Sequence, residues 1–241
     1  MKLKVRRVSV AVCAFVAALI WLIVNPASYE AIFTQVENTG AEGGIEDANQ
    51  ASEGSEKKAT EVLEELEVKG RAPKTGYKRT EFYDGWPTVE GCSLRQKILK
   101  RELGDTAVLD GCNVIKGEYD EPYTGEHKVL NSREEVSKIQ IDHVVALSDA
   151  WQKGAQQLSK EKRYELATDP LNLLAVDGAA NKKKSDGDAA TWLPSNKKFR
   201  CQYVARQVSV KRKYALWVTV AEKEAILKVL EKCPNEMAVG M

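Results

Sequence analysis

Only two histidines, His127 and His143, occur in the 241-residue chain. That scarcity excludes a multi-histidine metal site and leaves few side chains able to act as a general base near neutral pH. None of the five cysteines forms a Cys-x-x-Cys pair, which argues against a zinc ribbon. No segment repeats. Neither sign of charge is in excess, Lys+Arg numbering 36 and Asp+Glu 35, but the balance is uneven along the chain. Residues 37–67 set ten acids against Lys57 and Lys58, whereas residues 182–213 set ten Lys/Arg against Asp186 and Asp188. A basic folded part suits an anionic partner.

One long apolar run is present. Val8–Val24 is uncharged over 17 residues and follows Lys2, Lys4, Arg6 and Arg7. As a helix it would span ~25 Å, close to a bilayer core. The following Asn25-Pro26-Ala27-Ser28 makes a poor cleavage site. Residues 1–27 therefore read as an uncleaved signal-anchor, with a cleaved signal peptide as the alternative and the remaining chain outside the cytoplasm either way. Residues 28–68 read as an acidic flexible spacer, ending in a short helix over Glu61–Val68, and residues 69–241 as the folded domain. Cys92, Cys112, Cys201 and Cys233 suit two disulfides in an oxidising compartment. Cys201 lies 16 residues before Trp217 and Cys233 lies 16 after it. A reversal near Trp217 brings these two level on antiparallel helices and leaves Cys92 to Cys112. Each bridge would contribute about 2–4 kcal/mol.

Ser93–Leu103 has helical spacing, with Leu94, Ile98 and Leu99 on one face. Ala107–Leu109 and Asn113–Ile115 are short β-prone pieces. Ile139–Leu147 alternates and then becomes continuously apolar, as a strand entering a core does. Ser148–Ala167 is helical and broken near Gly154; Leu171–Val176 is a second strand, and Asn181 opens a lysine-rich helix. Asn196–Tyr214 and Thr219–Lys232 are further helices, the second with Thr219 and Glu222 as a capping box. Trp151, Trp192 and Trp217 are expected in the core, and His127 on the surface.

Asp142-His143 thus ends one strand, Asn172 opens the next, and Asn181 follows nine residues later. Together with IDHVVALSDAW, DPLNLLAVDGAANKKKSD and the trailing WLP, this resembles the exported HNH-family endonuclease-like proteins of Gram-positive bacteria. Their domain is related to the C-terminal domain of GmrSD-type restriction enzymes. The resemblance runs from RAPKTGY at Arg71 to Cys233. It implies an α+β fold: a small ββα-metal (HNH) core with an inserted helical segment and a C-terminal helical hairpin. It implies metal-dependent hydrolysis of nucleic acid, DNA before RNA, leaving 5′-phosphate and 3′-hydroxyl ends.

Phosphodiester hydrolysis explains such a residue set. Water must lose a proton as it attacks phosphorus, and histidine suits that task. Charge developing on the phosphate and leaving oxygen calls for a hard divalent cation, Mg²⁺, Mn²⁺ or a relative, held by oxygens. By resemblance His143 is the general base, Asp142 and Asn181 are metal ligands, and Asn172 pins the loop and orients the base. Lys184, Lys197 and Lys198 are expected to meet phosphate. Arg95, in Cys92-Ser93-Leu94-Arg95 where relatives carry Cys-Asp-x-Arg, is expected as a further substrate contact. Because successive strand residues point to opposite faces, Asp142 and His143 share a site only if the backbone turns there. The alternative function is a nuclease-derived surface protein that binds DNA or another polyanion without cutting it.

Overall fold

The computed structural model describes residues 57–240. The run Val8–Val24 and the acidic stretch before residue 57 lie outside the described residues. Among the described residues no helix is long and apolar enough to cross a membrane.

Helix α1 (Ala59–Glu65) seats Ala59, Val62 and Leu63, all fully buried, in the main core. Its ends are tied by bridges from Lys58 to Met237 and from Val68 to Val218. The expected spacer over 28–68 is therefore corrected in its last part, and the fold begins ahead of residue 69. Acids dominate the composition of this stretch, yet apolar residues at i, i+3 and i+4 are enough to give a short helix one packed face.

Strands β1 (Thr88–Val89) and β2 (Cys92–Ser93) pair before α2 (Leu94–Leu103), which buries Leu94, Ile98, Leu99 and Leu103. β3 (Val108–Asp110), β4 (Asn113–Asp120) and β5 (His127–Leu130) form an antiparallel sheet in chain order. His127 is exposed as expected, though it opens a strand and pairs with Asp120 at 2.9 Å. Helix α3 (Arg133–Lys138) leads into β6 (Gln140–His143). A helical segment follows, α4 (Leu147–Gln152) and α5 (Lys160–Thr168). Gly154 breaks it at φ +121°, where a Cβ would also come within 3.2 Å of the Trp217 ring. Then come β7 (Leu173–Val176), α6 (Gly178–Lys184), α7 (Arg200–Lys213) and α8 (Val220–Leu230). The architecture is α+β with small sheets.

β6 and β7 form an antiparallel pair with Asp142 opposite Leu174 and His143 opposite Leu173. Leu173 and Ala175 pack with the α2 side of the molecule, whereas Leu174 and Val176 join the core containing α1 and α7. Both faces are covered, which is why Leu173–Val176 reads as an unbroken apolar run. α6 follows directly, giving the order strand, strand, helix.

The disulfides join Cys92 to Cys112 and Cys201 to Cys233, with Cα separations of 5.4 and 6.4 Å. Cys201 lies in the first turn of α7 and Cys233 just beyond α8, and the chain reverses before buried Trp217. Two local expectations change. Asn181 sits inside α6, whose N-cap is Asp177. Thr219 caps α8 by accepting from the Glu222 N–H at 3.2 Å, but the Glu222 carboxylate does not turn back. It is buried against Lys153 and Lys211 instead.

Candidate active site

β6 ends at His143, and a side chain from β7's lead-in holds the turn that follows. The Asn172 carbonyl accepts from Val144 N–H and its side-chain oxygen accepts from Val145 N–H, both at 2.8 Å. Its amide nitrogen donates to the Leu166 carbonyl at 3.2 Å. Asn172 is wholly buried and spent on backbone groups. With the chain leaving the strand at this point, Asp142 and His143 line one cavity of about 360 Å³, together with Asn181.

His143 Nε2 donates to the Ala167 carbonyl at 2.9 Å, which leaves the lone pair on Nδ1. Asn172 and His143 therefore hang from adjacent carbonyls at the end of α5. The imidazole stacks on Trp86 with planes 10° apart and touches Tyr83 at 5.8 Å between centroids. Burial, helped by the charges of Arg79 and Lys184, lowers its pKa to about 3. The ring is neutral at physiological pH.

The Asp142 carboxylate accepts from the Tyr123 hydroxyl and pairs with Lys184 Nζ at 2.9 Å. Burial first, and then Asp142, push the Tyr123 phenol far above its usual range, so it remains a donor. Lys184 also donates to the His143 carbonyl at 2.8 Å and is only 1% exposed. Its ammonium, expected to meet phosphate, is spent here on Asp142 and the His143 carbonyl. Asn181 and Lys184 are three apart on α6 and share the face turned to β6, while Lys182 and Lys183 are exposed. Asn181 donates to Gln140 Oε1 at 2.8 Å, and its own amide oxygen has no hydrogen-bond partner among the described residues.

Other expected contacts lie elsewhere. Lys197 and Lys198 are exposed on a single 3₁₀ turn, and neither lines this cavity; Lys198 borders a separate one of about 420 Å³. Arg95 is half-buried and donates to the Ile139 carbonyl at 2.9 Å, bracing the approach to β6 rather than facing the cavity. A lysine-rich sequence fixes net charge, but helix phase decides which ammonium reaches which face.

Several lining residues escaped the sequence reading. Lys74, Tyr77 and Arg79 enter from more than 60 residues upstream of Asp142, and Ser148 and Asp186 close another side. Lys74 pairs with Asp186 at 3.0 Å, and Ser148 donates to the same carboxylate at 3.0 Å. The segments quoted for the resemblance contain Lys74, Tyr77, Ser148 and Asp186 but gave them no role, and Arg79 lies outside all of them.

The oxygen set fits a hard divalent cation. Asp142 supplies charge, Asn181 a free amide oxygen, and the cavity room for retained water. Lys184 shares Asp142, so a bound cation would have one positive neighbour.

A second charge cluster begins one residue beyond Ser148. Lys153 Nζ meets Asp149 at 2.7 Å, Asp188 at 2.7 Å and Glu222 at 2.6 Å. Lys211 pairs with Glu222 at 3.0 Å, and Arg71 with Asp149 at 2.9 Å and Asp188 at 2.7 Å. Three cations balance three carboxylates. It links α4, α7, α8 and the segment after α6.

Residues 94–229 match the family described as GmrSD restriction endonucleases, C-terminal domain. A protein of Arthroderma benhamiae, named an uncharacterized secreted protein, is 34% identical over 178 residues. That similarity covers 73% of this chain and 84% of the relative. No solved structure matches.

Proposed function

Because the chain belongs to the family of GmrSD restriction endonuclease C-terminal domains, we propose that it is a divalent-cation-dependent endonuclease of the HNH, or ββα-metal, type. Its substrate is nucleic acid, DNA before RNA. The observation that carries this reading is the convergence of Asp142, His143 and Asn181 on one cavity at the end of a strand–strand–helix unit. Asp142 and Asn181 would hold Mg²⁺ or Mn²⁺, which supplies neutralising charge for the phosphate and leaving oxygen.

His143 presents Nδ1 as the acceptor for the proton of attacking water. At a pKa of about 3 the free imidazole is a weak base. An entering phosphodiester would offset only the part of that lowering owed to Arg79 and Lys184, the larger part being burial. Asn172 keeps the ring in place by holding α5 and the turn after β6. The two disulfides and the name of the Arthroderma relative support action outside the cytoplasm. Attachment through the Val8–Val24 run belongs to this reading as well.

One observation favours the alternative of a polyanion-binding protein that does not cut. Lys184 already neutralises Asp142, so that carboxylate has a countercharge without a metal. Incubating the purified chain with plasmid and with RNA, in Mg²⁺, Mn²⁺ or EDTA, separates the two. Cleavage abolished by EDTA supports the nuclease; binding without cleavage in every metal supports the alternative.

A further inference from the structure

The cavity's cations differ in what they have left to give. Lys184 is committed to Asp142 and Lys74 to Asp186. Lys182 lies on the exposed face of α6 and brings only a point charge on a flexible stem. Arg79 is different. Its one side-chain hydrogen bond among the described residues goes to the Tyr83 hydroxyl, from a single guanidinium nitrogen. The other arginines of the described residues (71, 95, 101, 133, 163, 200, 206 and 212) all donate to a carboxylate or a backbone carbonyl.

Arg79 is exposed too, but an aromatic ring backs it and no carboxylate neutralises it. Its guanidinium lies 5.1 Å from the centre of the Tyr83 ring, and that ring packs on His143 at 5.8 Å. A planar fork with free donors, held by an aromatic ring beside the base, suits bidentate capture of a phosphate. Arg79 precedes the stretch 94–229 that matches the family.

We infer that Arg79 is a catalytic residue of this site, binding the non-bridging oxygens of the scissile phosphate and stabilising the charge that builds on them. The inference rests on the nuclease reading above. In the step, the oxygen of water bonds to phosphorus while its proton passes to His143 Nδ1. The bond from phosphorus to the 3′ oxygen breaks, that oxygen keeps the bonding pair, and a solvent proton converts it to a hydroxyl. Arg79 exchanges no proton. Its donors meet the equatorial oxygens, where negative charge concentrates in the transition state.

The test compares wild type, Arg79→Ala, Arg79→Lys and Arg133→Gln, the last being an exposed arginine paired with Asp110 away from the cavity. Plasmid and oligonucleotide cleavage are measured in Mg²⁺ for kcat and KM. Binding of a labelled oligonucleotide and of inorganic phosphate is measured in EDTA. Arg79→Ala should lower kcat by about 10²–10³-fold with a much smaller change in KM, as for loss of one oxyanion donor. Arg79→Lys should recover part of that loss, and Arg133→Gln should behave as wild type. Unchanged kcat in Arg79→Ala, or an equal loss in Arg133→Gln, overturns the inference and leaves the nuclease reading standing. If wild type cuts nothing, the nuclease reading and the catalytic role fall together. The binding arm then still reports whether Arg79 holds phosphate, by a clear loss of affinity in Arg79→Ala.

Discussion

The cluster around Asp142 and the cluster around Lys153 use the same kinds of side chain, yet one opens on a cavity and the other is closed. Neighbours in sequence feed both: Ser148 and Asp186 face the cavity, while Asp149 and Asp188 face Lys153. In the closed cluster every charge is matched, and Lys153, Lys211 and Glu222 have no exposed side-chain surface. In the open cluster Asn181 keeps a free oxygen, His143 a free nitrogen, and Arg79 most of its donors. Unspent hydrogen-bonding capacity separates a group of residues that can meet a ligand from one that holds helices together.

The largest expected effect falls on the open side. His143→Ala should lower cleavage by at least ~10²–10⁴-fold, the range of a general base. It should leave the fold intact by circular dichroism, and cleavage equal to wild type would move the chemistry elsewhere. On the closed side, Glu222→Ala leaves Lys153 and Lys211 short of a carboxylate. Removing one partner of a buried ion pair costs about 3–5 kcal/mol. Urea unfolding should show that loss, while cleavage per folded molecule stays near wild type. A large drop in cleavage at full folding would erase the distinction between the clusters.

Acid provides a smaller, reversible probe. Burial raises the pKa of Asp188, but Lys153 and Arg71 outweigh burial and bring it down to about 2. Its contribution to stability is therefore complete above the unfolded carboxylate value near 3.8 and is lost as pH falls through about 2. The shift corresponds to about 2 kcal/mol. Relative to Asp188→Asn, wild type should lose that margin between pH 4 and pH 2 in denaturant titrations. The smallest effect is expected at Lys197 and Lys198. Both are exposed and off the cavity, so replacing them with Gln should change stability by less than ~0.5 kcal/mol and leave kcat unaltered. A fall in kcat would bring them back to the site.

Much of this was legible in the residues themselves. Helix α2 was visible in the spacing of Leu94, Ile98 and Leu99, and β7 in its apolar run. Both signals come from neighbours along one element. The pairing of Cys201 with Cys233 followed from equal distances to a reversal at Trp217. The start of the fold was misread because α1 gains its stability from α7 and α8, far along the chain. Glu222 matched a capping box in sequence, but a buried carboxylate facing two ammonium groups is better satisfied there than at a helix end. Arg79 and Tyr123 gave no signal at all, because their partners lie in other elements.

By itself, then, the sequence determined the elements with strong periodicity, the covalent pairing, and the residue types able to hold a cation and take a proton. Those follow from spacing and side-chain chemistry, which are local. Tertiary structure alone decided that Lys184 turns inward to Asp142, that Lys197 and Lys198 lie away from the cavity, and that Arg79 arrives beside His143. Side-chain direction and burial are set by what packs against each face, and the partners that pack here come from more than 30 residues away along the chain.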